Sequence, residues 1–234
     1  NSFSTVEYDK PNRKRVFEPV VKELKCRVYN NATNVTETDY SIDNQNMEYG
    51  MCTYEPSLHL AVIDQVTLQP WFTINDPFTD AYPGHFLNNY NNLTTCRGRQ
   101  ERYFIYRQDS LGLNNLNNAL KNDIPTGSYI LLYAVNYADY SKWSQYCSDL
   151  YQTLSNLGST SIYPGLSNNC FIFFTQLDSP QKTQEVLASS YGQLITLTTA
   201  LNSGDYIGEE KSPFIGPSKE WKTLYWKQDP SEAN

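Results

Sequence analysis

Two histidines and five cysteines set the limits of nucleophilic chemistry in this 234-residue chain. A cysteine peptidase needs a thiolate, a histidine beside it and a group that holds the histidine in place. The candidates are His85, in Tyr-Pro-Gly-His-Phe, and Cys170, in Asn-Asn-Cys-Phe-Ile-Phe-Phe. Cys170 opens an apolar run instead of ending one, and His85 falls in an irregular stretch. Cys170 therefore reads as a buried or disulfide cysteine and His85 as a loop residue. His59 lies in the middle of a strand pattern and reads as a strand or edge residue, not a ligand. No residue is assigned a catalytic role.

Cys26, Cys52, Cys96, Cys147 and Cys170 are spaced too widely for a zinc site, which wants short paired spacings. Cys26 and Cys52 flank a predicted hairpin and are the first candidates for a disulfide. Asn75, Asp76 and Asp80 in Ile-Asn-Asp-Pro-Phe-Thr-Asp offer oxygen ligands to calcium. Asx residues beside proline are more often turn formers, so no metal and no other cofactor is assigned. No glycine-rich phosphate loop is present. Sugar recognition asks for exposed aromatic faces beside planar polar groups. Trp71, Tyr82, Phe86 and Tyr90, with Asn88, Asn89 and Arg97, fall in or beside one long loop and form the candidate ligand-binding set.

A net charge of -7 leaves no electrostatic footprint for nucleic acid. The one basic cluster, Lys10 to Arg15, reads as a solvated loop. Charged residues make up 18% of the chain, and 19 Tyr and 10 Phe accompany many Asn, Ser and Thr, a balance that points to a secreted or surface protein. Asn31, Asn34 and Asn92 head N-x-[ST] sequons. Beginning at Asn1, with neither a signal peptide nor a hydrophobic segment of spanning length, the sequence reads as a piece of a longer precursor.

The elements that must position these residues are mostly strands. Asp123 to Asp139 reads as a turn punctuated by Pro125 and Gly127, then a buried strand from Tyr129 to Val135. Val20–Tyr29 alternates, with Val21, Leu24, Cys26 and Val28 on one face. Asn30 to Asn46 is polar and turn-rich. Leu58–Trp71 reads as a hairpin turning at Asp64-Gln65, and Asn75 to Arg99 as an irregular loop. Glu101–Asp109 is a predicted strand, and Leu113, Leu116 and Leu120 mark one helical face. A helix from Ser141, capped by its hydroxyl, is predicted to run to a stop at Gly158. Cys170–Leu177 and Gln193–Leu201 follow as strands, with a short helix at 184–190. Ile215–Trp226 is predicted to be a final strand, its Trp221 and Trp226 serving as anchors or contacts with a neighbouring domain.

From Ser57 to Leu201 the order of these elements resembles the interleukin-like EMT inducer domain, also described as the GG-type lectin-like domain. The residues that carry the likeness are SLHLAVIDQVTLQPW, DIPTGSYILLYAVN, LSNLGS, NCFIFFTQLDSP and GQLITLTTAL. The flanks FSTVEYDKPNRKRVFEPVVKEL, YSIDNQNMEYGMC and IGPSKEWKTLYWKQDPSE look like regions of large gingipain-type surface proteins of Bacteroidetes, associated with type IX secretion and PorU-like sortases. In those proteins the inducer-like domain sits beside the peptidase domain. His85 and Cys170 follow the order of a gingipain-type dyad, which is the peptidase alternative.

The expected fold is α+β, with antiparallel-rich twisted sheets packed together and two to three helices outside. The expected divisions are a strand-rich extension at 1–55, an inducer-like domain at 56–201, and a strand and tail at 202–234. The expected function is that of a non-catalytic extracellular or cell-surface module, structural or adhesive, that docks neighbouring domains or a protein partner. A carbohydrate-binding domain using the 75–99 loop is the alternative. Neither nucleic acid nor a membrane span is expected.

Overall fold

A computed structural model describes residues 6–9, 14–17, 19–30, 37–50, 56–73 and 97–203, the first two stretches as backbone only. The fold is α+β in three layers. A four-stranded antiparallel sheet has the order β11 (Leu194–Asn202), β3 (Val21–Tyr29), β4 (Asp39–Ile42), β5 (Gln45–Glu48). It packs on a five-stranded antiparallel sheet of order β10 (Ser179–Leu187), β9 (Phe171–Gln176), β8 (Tyr129–Val135), β6 (Ser57–Ile63), β7 (Phe104–Arg107). Helices α1 (Ser110–Asn118), α2 (Tyr140–Tyr146) and α3 (Asp149–Asn156) cover the far face of the second sheet. A separate hairpin pairs β1 (Val6–Asp9) with β2 (Lys14–Phe17). Lys14 and Arg15, expected in a solvated loop, stand on β2 opposite Asp9 and Tyr8.

Layering explains the burial. β6 and β8 are covered on both faces, and every residue of each is buried. Such strands read as unbroken apolar runs, because neither face meets water. One face of β8 presents Tyr129, Leu131 and Tyr133 to the four-stranded sheet, where the Tyr129 hydroxyl donates to the Asn202 carbonyl at 2.9 Å. On the helix side Trp143 meets Phe171 edge to face, with ring centres 5.8 Å apart.

β3 is covered on one face only and alternates accordingly. Its inner row is Lys22, Leu24, Cys26 and Val28, whereas Val21 is 57% exposed, so the expected position of Val21 is corrected. Lys22 takes the inner place because its stem is buried while its Nζ donates to the carbonyl of Thr67 at 3.2 Å. β3 pairs with β11 over nine rungs, from Val21–Asn202 to Tyr29–Leu194. Residues expected to lie in an N-terminal extension thus share a sheet with the end of the inducer-like stretch. At the close of that ladder the Val20 amide donates to Ser203 Oγ and the Ser203 amide to the Val20 carbonyl, both at 2.9 Å.

Several boundaries differ from expectation. The polar stretch before Asn46 contains the β4–β5 hairpin, turned by Asp43 and Asn44, both with positive φ (49° and 60°). Asx residues tolerate that conformation, and two in a row give a type I′ turn. Leu58–Trp71 does not close as a hairpin. The Asp64 carboxylate accepts from the amides of Val66 and Thr67 and forms a tight turn, after which only a single bridge joins Ile63 to Pro70. The Asp64 amide donates to the Gln69 carbonyl at 3.0 Å and the Trp71 amide to the Val62 carbonyl at 2.8 Å, on either side of that bridge.

The expected helix from Ser141 to Gly158 is two helices, broken at Cys147 (φ -155°, ψ 65°). Asp139, not Ser141, caps α2, accepting from the Lys142 amide. Gly158 does terminate α3, at φ 99°. A Cβ there would lie 2.6 Å from the Pro180 carbonyl oxygen, so only glycine fits. The stretch 184–190, expected to be helical, supplies the end of β10. Its pairing with β9 from Gln184–Phe174 to Leu187–Phe171 overrides local preference.

A buried serine, histidine, glutamate and arginine network as candidate functional site

The pleat of β6 places Ser57 and His59 two residues apart on the same face, toward the four-stranded sheet. β5 ends at Glu48, on the other side of that interface. The Gly98 amide donates to the Tyr49 carbonyl at 3.0 Å, which brings Arg97 alongside Glu48. Four polar side chains from three distant parts of the chain meet there, all between 0% and 2% exposed.

Arg97 Nε donates to Glu48 Oε1, and Arg97 Nη2 donates to the Thr38 carbonyl at 2.6 Å. His59 Nδ1 lies 3.1 Å and 3.2 Å from the two Glu48 oxygens, and its Nε2 lies 3.2 Å from Ser57 Oγ. An ionised carboxylate only accepts, so His59 Nδ1 donates to Glu48, and the other ring nitrogen faces the Ser57 hydroxyl. Tyr103 stacks on the imidazole at 5.1 Å, and Tyr133 leans on it at 5.6 Å. Burial pushes the Glu48 carboxyl up, but the charge of Arg97 and the hydrogen bonds from Arg97 and His59 outweigh it and hold it below the usual range.

Serine to imidazole Nε2, and Nδ1 to carboxylate, is the connectivity of a nucleophilic serine. Ser57 is 1% exposed, and one face of the imidazole is covered by Tyr103. A reacting carbonyl must sit about 3 Å from both the nucleophile and its oxyanion donors. The Glu48 carboxylate, which would stabilise an imidazolium, is already neutralised by Arg97. The arrangement is suited to holding two sheets in register.

Arg97 is therefore corrected: expected on a ligand-binding loop, it is an internal cation. His59 is corrected from a possible edge position, since β6 pairs on one side with β7 and on the other with β8. Trp71 is half-buried against the core and its amide donates to the Val62 carbonyl at 2.8 Å. Tyr82, Phe86, Asn88, Asn89, Tyr90 and His85 lie outside the described residues, as do Asn75, Asp76, Asp80, the three sequon asparagines, Trp221 and Trp226. Among the described residues no group of three or more His, Cys, Asp or Glu is placed to hold a metal ion. No described helix is long and apolar enough to cross a membrane.

Cys170 is fully buried; its thiol donates to the Asn136 carbonyl at 2.9 Å. Burial pushes that thiol far up, opposite to what a nucleophile needs. Cys26 is also a free, buried thiol, so the expected pairing with Cys52 is not formed; Cys52 itself lies outside the described residues. The inner row of β3 explains it: Cys26 points into the sheet interface, where burial foremost, then Glu48 and Asp39, raises its thiol. Cys147 is a third free thiol, raised by burial. Brief iodoacetamide treatment of the native protein is expected to leave Cys26, Cys147 and Cys170 unmodified, and guanidinium to render all three reactive. Peptide mapping by mass spectrometry would read this, and native labelling of Cys170 would contradict it.

Ser57 and Glu48 carry no motif. The signal within reach was the pair of polar residues at alternate positions of an otherwise apolar strand, Ser-Leu-His-Leu-Ala-Val-Ile. A comparison of the sequence with models of protein families returns no match, and neither does a comparison with curated proteins.

Proposed function

We propose that this chain is a non-catalytic, extracellular structural or adhesive module of a large secreted surface protein, and that it docks neighbouring domains or a protein partner. The observation that carries this reading is the sealing of Ser57, His59 and Glu48, each at most 1% exposed, with Arg97 on the carboxylate. Chemistry-bearing groups are committed to cohesion between layers instead of facing solvent. The likeness of residues 57–201 to the inducer-like domain, and of the flanks to type IX-secreted surface proteins, supports the same reading.

The ends of the 74–96 segment support a docking role. Before it, the Thr73 amide donates to the Glu101 carbonyl at 3.0 Å; after it, Gly98 bridges to Tyr49. Both roots are tied to the fold, which lowers the ordering cost of presenting a binding loop. Titration of the purified chain with the domains that adjoin it in the parent protein, read by calorimetry, is expected to give saturable binding. A glycan array, with and without calcium, is expected to be blank. An array signal that survives dilution and is lost in Trp71→Ala would replace this reading with carbohydrate binding.

A further inference from the structure

We propose that the outer edge of β11 is a docking site for an extended strand of a partner protein, which adds to the four-stranded sheet beside β11. This site is a specific form of the docking reading above, on which it rests. Among the described residues β11 pairs with β3 alone, over nine unbroken rungs. Its sequence, Leu-Ile-Thr-Leu-Thr-Thr-Ala-Leu-Asn, holds no charge, proline or glycine. The other outer strands of the two packed sheets are guarded. β5 and β7 are four residues long, and β10 carries Pro180, Lys182 and Glu185 and a break in register before Gln184. Short length, charge, proline and bulges are the devices that keep sheet edges from pairing, and β11 has none of them.

Backbone direction fixes which groups are on offer. In an antiparallel ladder alternate residues turn both backbone groups toward the same neighbour. The Asn30 amide donates to the Gln193 carbonyl and the Ser203 amide to the Val20 carbonyl, so odd-numbered residues of β11 face β3. Asn202 faces the other way, and its amide and carbonyl both bond the Tyr129 hydroxyl, at 3.1 Å and 2.9 Å. Leu194, Thr196, Thr198 and Ala200 share the direction of Asn202, and all are exposed. Each presents an amide and a carbonyl at the spacing of an extended backbone, the pattern that strand addition uses.

The five-stranded sheet supplies a ledge beneath that row. Phe174 stacks on Tyr129 and so lies on the face that meets the four-stranded sheet. Gln184 and Val186 of β10, paired with Phe174 and Ile172, lie on the same face. Gln184 Nε2 donates to Thr199 Oγ1 at 2.7 Å, yet Gln184 is exposed and Val186 only half-buried. β10 therefore projects past β11, leaving a strip of inner face that the four-stranded sheet does not cover. A strand laid beside β11 turns alternate side chains down onto Val186 and Gln184 and the others out beside Thr196 and Thr198. The outward row of β11 is uncharged and asks for no counter-charge, so the partner strand alternates apolar with uncharged polar residues. A second copy does not fit, because two β11 strands joined about a two-fold axis bring both β10 strands under one seam.

The probe is acetylated, amidated Thr-Val-Thr-Val-Thr-Val-Thr with its valine amides N-methylated, which closes one edge and leaves the threonine edge for β11. Residue-resolved hydrogen exchange of the whole chain is the readout. In the free chain the amides of Thr196, Thr198 and Ala200 are expected to exchange at least about tenfold faster than those of Leu197, Thr199 and Leu201. Saturating probe is expected to slow the first set about tenfold and leave the second unchanged. The isomer N-methylated at threonine instead is expected to have no effect. Thr198→Pro removes one outward amide without touching a rung to β3, and is expected to weaken probe binding at least about tenfold. If that variant does not fold, the two probes decide the matter on the unaltered chain. Equal effects of the two probes, protection at β5 or β7 instead, or no effect at about 1 mM probe would overturn the site. Adjoining domains that bind in calorimetry but leave Thr196, Thr198 and Ala200 unprotected overturn this site and keep the docking reading. Failure of those domains to bind, with the probe protecting the same amides, retires the docking reading and supports the edge.

Discussion

Replacing Arg97 with methionine is expected to destabilise the protein by about 3–5 kcal/mol at neutral pH, because it strands a buried carboxylate without its cation. Methionine keeps much of the arginine stem's packing, so the loss reports charge more than volume. Glu48 partly escapes by taking up a proton. In the variant its folded pKa rises above the unfolded value, and the penalty therefore grows as pH climbs above about 4.3 and shrinks below it. Urea unfolding at three pH values would show this slope. Adding Glu48→Gln to Arg97→Met is expected to recover part of the loss, giving an interaction energy within the 0.5–3 kcal/mol range of directly coupled pairs. Strict additivity would mean that the two side chains do not act as a pair.

Trp143→Ala carries the other large expectation, a loss of about 3–5 kcal/mol. Among the described residues Trp143 is the largest fully buried side chain, and it fills the space between α2 and the five-stranded sheet. Its ring meets Tyr140 at 5.0 Å, Tyr151 at 5.7 Å and Phe171 at 5.8 Å. Its Nε1 donates to Gln108 Oε1 at 3.0 Å, an oxygen that also accepts from the Asp139 amide. Alanine removes the aromatic centre of the helical layer and one of the bonds that seats the α2 N-terminus. At roughly 2–4 °C per kcal/mol for a chain of this size, calorimetry would register a fall of roughly 6–20 °C. Trp143→Phe restores most of the volume and none of the hydrogen bond, so its smaller loss would isolate the bond. A change of under about 1 kcal/mol in Trp143→Ala would mean that the site collapses around the gap.

How much of this was legible in the sequence depended on how many neighbours each element has. β8 was plain because burial on both faces leaves a continuous apolar run, and α1 because Leu113 and Leu116 begin one stripe that Leu120 continues in the π-helical turn Ala119–Asp123. β4 and β5 were hidden. Four-residue strands half covered by one layer carry too few positions to declare a period, and the Asp43-Asn44 turn reads as generic polarity. The α2–α3 break was hidden too, since Trp143, Leu150, Tyr151 and Leu154 continue one apolar pattern across it. Residue 184–190 had the composition of a helix and lacked any local sign that β9 would claim it.

The network at Glu48 was out of reach for a different reason. Residues 48, 57, 59 and 97 belong together only because β5 lies over β6 and Gly98 returns to Tyr49. Sequence reading ranked Arg97 by its neighbours in the chain, among loop aromatics, and so assigned it outward. Its neighbours in space include a carboxylate and a carbonyl.

The exchange of hydrogen bonds between Val20 and Ser203 has a mechanical meaning. The chain enters the four-stranded sheet and leaves it at the same end of the same ladder, beside the Val21–Asn202 rung. Tension applied through those two points does not shear the nine rungs together; it loads them one after another, as a zipper is loaded. Under pulling the β3–β11 seam is therefore expected to open first, the edge strand β11 peeling from β3, which β4 also holds. In the relaxed state the same geometry adds almost no length between whatever precedes Val20 and whatever follows Ser203.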